Sequence, residues 1–212
     1  MLESIEKTPG LAKLDPVIQE INDALGVDDL NQPAGYTPPK YWIAGGALTA
    51  AMSGDKINDY DIFSPDPELV IAKLKEALGF WTFQCDDFTN FDVHGLRVQV
   101  ITKYKPKTPQ ELFSTFDFTI CKASYDGVTM CMHDRFWQDL ATKRLVLDEN
   151  ILFPLKTLER IGKYCGRGYS ACSVGLLALA KSIHALTIDW DNPNENQLSY
   201  YPDGTVRFTG ID

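Results

Sequence analysis

The chain has 212 residues, a length that suits one domain with an appendage or two small lobes. Its 44% hydrophobic content excludes global disorder. A net charge of -9 and a pI near 4.8 exclude a broad, sequence-independent hold on DNA, which needs a field of Lys and Arg against phosphate.

In chain order, residues 13–25 have the pattern of an amphipathic helix, with Asp15 as cap, Pro16 in the first turn and Val17, Ile18, Ile21 and Leu25 as the apolar stripe. Residues 26–40 are rich in Asp, Asn, Pro and Gly and predict a loop. A short buried strand is expected at 41–44, then Gly45-Gly46, then a helix of small residues that stops at Gly54. A second strand is expected at 59–63, followed by a helix capped within Ser64–Asp66 and ended by Gly79. Strands are predicted at 80–84, near 88–91 and at 96–102, with Phe80, Trp81, Phe83, Phe88 and Phe91 as sheet and core packing. Thr108, Pro109 and Glu111 form a capping-box start. The runs 116–125 and 128–132 flank a Tyr-Asp-Gly turn like the arms of a hairpin.

From about His133 the pattern turns helical, with helices at 154–166 and 170–187. Val174 to Ala180 is expected to be a buried helix face, too short for the roughly 20 residues of a membrane span. The tail holds one hairpin candidate, SYYPDGTVRF. The fold expected is α+β: a twisted mixed sheet with flanking helices over 1–132, a helical part over 133–190 and a polar tail over 191–212. The start MLESIEKTPG has no basic segment ahead of an apolar run, so no signal peptide is expected. Five cysteines without a framework predict a reducing, cytoplasmic setting. Cys131, Cys165 and Cys172 are expected as buried thiols rather than zinc ligands, because no C-x-x-C is present.

The stretch IAGGALTAAMSGDKINDYDIF, Ile43 to Phe63, carries the chemistry. Glycine lets backbone approach a ligand closely, and a helix N-terminus offers unpaired N–H groups that suit a triphosphate. Residues i and i+2 of a strand share a face, so Asp59 and Asp61 project together. Two such carboxylates can hold divalent ions roughly 3.5 to 4 Å apart, and hard oxygen ligands select Mg²⁺ or Mn²⁺. Ser53 and Asn58 are further candidate nucleotide contacts. Arg160, Lys163 and Arg167 recur at helical spacing, and Arg160 and Lys163 are candidates for neutralising phosphate.

This stretch resembles the head domain of the DNA polymerase β-like nucleotidyltransferase superfamily, in the branch of tRNA CCA-adding enzymes and bacterial poly(A) polymerases. Gly45, Gly46, Gly54, Asp59 and Asp61 stand at that branch's spacings. DFTI at Asp117 to Ile120 looks like its downstream Arg-Arg-Asp-Phe-Thr-Ile-Asn segment, and the likeness covers roughly 41–125. The chain departs from the branch at Leu48-Thr49-Ala50, where Val-Arg-Asp is usual, at Thr115-Phe116 in place of Arg-Arg, and at Cys121 in place of Asn. The resemblance implies metal-dependent transfer of an NMP from an NTP to a hydroxyl acceptor, with RNA, a protein or a small molecule as acceptor classes. It also implies a third carboxylate on a neighbouring strand. Asp117 is the candidate and Gln99 the rival position. The alternative is a nucleotide-binding relative that has lost catalysis.

Overall fold

A first strand, β1 (Trp42–Ala44), runs into Gly45, and the chain turns at once into helix α2 (Gly46–Ser53). The computed structural model describes residues 9–27, 37–148, 151–187, 198–200 and 206–208. Before β1 lie a 3₁₀ turn (Leu11–Leu14) and helix α1 (Asp15–Leu25), whose stripe Val17, Ile18, Ile21 and Leu25 is buried as the periodicity requires. Asp15 does not cap this helix. The 3₁₀ turn feeds directly into α1, so Leu14 takes the cap position and Asp15 becomes the first helical residue, where its charge still faces the positive dipole end.

After α2 come β2 (Tyr60–Phe63) and α3 (Pro67–Leu78). Asp66 caps α3 by accepting from the Leu69 amide at 3.1 Å, and Gly54 and Gly79 end α2 and α3 in the left-handed conformation. Strands β3 (Phe83–Gln84), β4 (Phe88–Val93) and β5 (Leu96–Ile101) follow, then α4 (Pro109–Phe113), β6 (Ala123–Tyr125) and β7 (Met130–Met132). The Glu111 amide donates to Thr108 Oγ1 at 3.2 Å, the first half of the capping box, while the Glu111 carboxylate reaches back to the Lys107 amide at 2.7 Å.

These strands form a mixed seven-stranded sheet in the order β3-β4-β5-β2-β1-β6-β7, antiparallel except where β2 meets β5. One face buries Tyr60, Ile62, Phe91, Val98 and Val100, and α3 packs against it at β5. The opposite face carries Asp61, Gln99 and Asn90 in one row, because alternation along each strand sends i and i+2 to one side.

Several expected elements differ. The strand at 80–84 shrinks to Phe83–Gln84, and it lies at the sheet edge, so Phe80, Trp81 and Phe83 are exposed; only Phe91 of the five aromatics is in the core. Lys75 covers the Trp81 ring at 3.8 Å instead. The run 116–125 is not one strand. Phe118 makes a single bridge to Leu147, Thr119–Cys121 forms a 3₁₀ turn, and only Ala123–Tyr125 joins the sheet. Thr119 Oγ1 donates to the buried Asp139 at 2.7 Å, which ties the 3₁₀ turn to helix α5 (Phe136–Ala141).

The chain divides into two compact units, residues 1–113 with 121–136, and residues 114–120 with those from 137 onward. The second contains α5 (Phe136–Ala141) almost wholly, the short parallel strands β8 (Arg144–Leu145) and β9 (Ser170–Ala171), α6 (Pro154–Cys165) and α7 (Ser173–His184). Its core is built on Phe118, Tyr164 and Tyr169, stacked edge to face at 5.6 and 5.5 Å. The apolar run on α7 is not a buried face. Gly175 and Leu179 are buried, but Val174 is 79% exposed, and Leu176 and Leu177 are exposed too, because a run apolar all round cannot bury every side against one unit. Strands β10 (Leu198–Tyr200) and β11 (Val206–Phe208) pair antiparallel, as the hairpin pattern predicts; the turn at Pro202-Asp203-Gly204 lies outside the described residues. Among the described residues no helix is long and apolar enough to cross a membrane.

Candidate active site

The site is set by two registers. In the β1–β2 ladder Ala44 stands opposite Asp61. Ala44 directly precedes Gly45, so the Asp61 carboxylate lies beside the point where the backbone enters α2. Gly45 has φ 72° and ψ -135°, a conformation closed to residues with a side chain, and its amide donates to Ala123 O of β6 at 3.3 Å. A Cβ placed on Gly46 meets no heavy atom within 4 Å, so there is space beside this first residue of α2, while Ala47, Leu48 and Thr49 behind it are buried. An open helix start with a buried carboxylate alongside can take a phosphate and its counter-ion together.

In the β2–β5 ladder Tyr60 stands opposite Val98 and Asp61 opposite Gln99. One step back along the same face, Arg97 reaches Asp59: Arg97 Nη2 donates to Asp59 Oδ2 at 2.9 Å. Asp61 is buried, whereas the Asp59 side chain is 21% and the Arg97 side chain 54% exposed. Gln99 is buried and donates through Nε2 to Asn90 Oδ1 at 2.8 Å. The neighbouring strand thus sets a cation and a neutral amide beside the two carboxylates. The donor set suits one hard divalent cation: two carboxylates with an amide oxygen adjacent.

Asn58 is exposed next to Asp59. Ser53 is half-buried and donates to Asp55 Oδ2 at 2.8 Å, which ties off the end of α2. In the second unit, Asp117 is ion-paired with Arg160, whose Nη1 donates to Asp117 Oδ2; their side chains are 2% and 16% exposed. Lys163 is exposed on α6. Arg167 does not share its helix face, since α6 ends at Cys165 and Arg167 turns back over the Tyr164 ring at 5.8 Å. Cys131 is buried, and burial raises its thiol pKa, but Cys165 is exposed and Cys172 half-buried, where Cys172 Sγ accepts from the Gly175 amide and caps α7. Among the described residues no group of three or more His, Cys, Asp or Glu gathers closely enough to hold a metal ion.

Arg97 is the residue that sequence reasoning missed. The alternation in LRVQVIT puts Arg97 and Gln99 on one face, but only the pairing of β5 with β2 reveals that the face is the one bearing Asp59 and Asp61.

Residues 17–143 match the family described as Gabija anti-defense 2 family protein. A curated relative, "Gabija anti-defense 2" of Bacillus phage SPbetaL7, is 27% identical over 161 residues, covering 74% of this chain and 40% of the relative. Among solved structures, a Thermotoga maritima CCA-adding enzyme complexed with tRNA aligns at a TM-score of 0.56 and 16% identity over 86% of this chain and 43% of that one. A CCA-adding enzyme in complex with CTP aligns at 0.57 and 15% identity over 85% of this chain and 43% of that one. The fold is nucleotidyltransferase-like. The chain spans about two fifths of the length of this relative and of these two solved structures.

Proposed function

The chain belongs to the Gabija anti-defense 2 family, and from that premise we propose that it counters the Gabija defence through a nucleotidyltransferase site built on Asp59 and Asp61. The observation that supports this reading is the β1–β2 register, in which Asp61 pairs with Ala44, the residue before Gly45, with space beside Gly46.

In the proposed reaction an acceptor hydroxyl loses its proton and its oxygen bonds to the α-phosphorus of an NTP. The bond from that phosphorus to the bridging oxygen breaks, and pyrophosphate leaves. Gly45 and Gly46 let the triphosphate approach backbone, and the α2 N–H groups receive its oxygens. Asp59 and Asp61 are the residues that would hold Mg²⁺ or Mn²⁺. When bound, such an ion supplies positive charge for the leaving pyrophosphate and acidity for the acceptor hydroxyl. Asn58, exposed beside them, is the nearest candidate for a further nucleotide contact. The proposal leaves Ser53 to Asp55, and leaves Arg160 and Asp117 to each other as framework of the second unit. It assigns no part to Lys163.

The net charge of -9 disfavours a large RNA surface and favours as acceptor a small molecule, a protein, or RNA held at one local patch. The solved neighbours were captured with CTP and with tRNA, which supports an NTP as donor here.

A second reading is nucleotide binding without transfer. It is favoured by the neutral Gln99 abreast of Asp61 and by the Arg97 cation on Asp59, which together weaken the negative field that transfer chemistry requires.

One experiment separates the two. The protein is incubated with Mg²⁺ or Mn²⁺ and each α-labelled NTP in the presence of total RNA, a protein extract or a metabolite extract, beside an Asp59→Asn/Asp61→Asn variant. Label that moves with wild type and not with the variant supports transfer, and the labelled fraction gives the acceptor class. Metal-dependent NTP binding with no label moved supports the second reading. Absence of both refutes the two together.

A further inference from the structure

We propose that Arg97 is a displaceable counter-ion which occupies Asp59 until a triphosphate draws the guanidinium away, so that divalent-cation binding at Asp59 and Asp61 depends on nucleotide. This rests on the reading of those two carboxylates as the metal-holding pair.

Position is the first support. Arg97 lies on β5 one register step from the Asp61–Gln99 row and on the same face, and its guanidinium meets Asp59 at 2.9 Å. Another carboxylate was within its choice. In the β4–β5 ladder Arg97 stands directly opposite Asp92, yet Asp92 Oδ1 accepts from the Gly95 amide at 2.8 Å and Arg97 turns the other way, to Asp59.

Exposure is the second. The Arg97 side chain is more than half exposed, so water and salt compete for it and the ion pair is easily exchanged. The Asp117–Arg160 pair, with Asp117 buried and Arg160 half-buried, is far better shielded from water and salt and is the opposite case.

Charge is the third. Asp59, Asp61 and Arg97 together leave one net negative charge, and Gln99 adds none. A divalent cation arriving alone must expel Arg97 and then sit near it, with like charges in apposition. Arriving with a triphosphate, it brings an anion that the freed guanidinium can bind, and the planar fork of arginine fits phosphate oxygens bidentately. The same side chain thus opposes the bare ion and favours the ion–nucleotide complex.

The test is a Mn²⁺ titration of the full chain, read from the free-Mn²⁺ EPR signal, without nucleotide and with the α,β-methylene analogues of ATP and CTP. Arg97→Gln is expected to tighten Mn²⁺ binding without nucleotide by about two- to five-fold, the range of an exposed ion pair. It is also expected to shrink the gain in Mn²⁺ affinity that an analogue gives wild type, while Arg97→Lys, which keeps the charge, stays closer to wild type. Equal Mn²⁺ affinity of wild type and Arg97→Gln overturns the proposal, as does a wild type indifferent to both analogues. If wild type binds Mn²⁺, Asp59→Asn abolishes it and Arg97→Gln changes nothing, the metal-pair reading survives and the Arg97 proposal alone fails. If no form binds Mn²⁺ under any condition, both fall. Thermal melts of each variant verify that the fold is intact.

Discussion

Replacing Asp117 with Asn removes a carboxylate from a site where the surrounding protein cannot compensate. Its side chain is 2% exposed and that of its partner Arg160 is 16% exposed, so neither can be rescued fully by water. The Asp117 carbonyl accepts from the Asp148 amide at 2.8 Å and Phe118 bridges to Leu147, so the backbone cannot swing away. Breaking a buried ion pair by removing one partner destabilises by about 3–5 kcal/mol, because a charge is left buried without its counter-charge. The residual exposure of Arg160 places the expected loss near the lower end, about 3 kcal/mol. A unit of under about 100 residues loses about 4–8 °C of Tm per kcal/mol, so the melt of the unit that holds this pair should fall by roughly 12–24 °C. The assay is urea and thermal unfolding followed by circular dichroism, fitted without assuming a single transition, because the chain forms two units. The shift should appear in the transition of the unit that contains α6. Asp59→Asn, which breaks an exposed pair, should change stability by at most about 1 kcal/mol and serves as the internal comparison. An Asp117→Asn variant that melts within about 2 °C of wild type refutes the reasoning, since that is under 1 kcal/mol on the same scale. A double variant, Asp117→Leu/Arg160→Met, should recover most of the loss, because packed apolar side chains can replace a buried ion pair without penalty.

Three further outcomes are expected. Gly45→Ala should lower stability by about 1–3 kcal/mol in the same unfolding assay, because its φ of 72° and ψ of -135° are closed to alanine. Gly46→Ala should leave stability unchanged or slightly raised, since the new Cβ enters free space, yet reduce NTP affinity measured by calorimetry, because that space is where a triphosphate would lie in the proposed site. In thiol labelling under native conditions, exposed Cys85 and Cys165 should react first, while Cys121 and Cys131 stay protected until unfolding. For Cys131 the burial-raised pKa adds to the protection: the thiolate fraction at pH 8 is below that of an ordinary thiol, so its labelling rate should still be climbing as the pH is taken past the usual thiol range.

Local chemistry was legible because it acts over a few residues. Glycines at 54 and 79 stop α2 and α3 where the sequence says a left-handed residue is wanted, Asp66 caps α3, and Thr108 with Glu111 starts α4. The Gly-Gly turn, the following helix and the Asp-x-Asp strand form one contiguous unit of some twenty residues, so the framework of the candidate site could be read directly. Asp15 misled by being a good cap type beside a proline, when a preceding 3₁₀ turn had already started the helix.

What the sequence by itself determined is therefore the type and order of most elements and the pair of carboxylates proposed as the centre of the candidate site, since propensity, capping and strand alternation are nearest-neighbour effects. Tertiary structure alone decided which strands meet. Placing β3 at the sheet edge exposed Phe80, Trp81 and Phe83, whose composition reads as core. Pairing β2 with β5 set Arg97 on Asp59 and Gln99 beside Asp61, across 38 positions of chain in each case. Folding the second unit joined Asp117 to Arg160, 43 positions apart. An ion pair between distant residues has no local signature: its energy exists only after both desolvation and approach, and those are properties of the assembled fold.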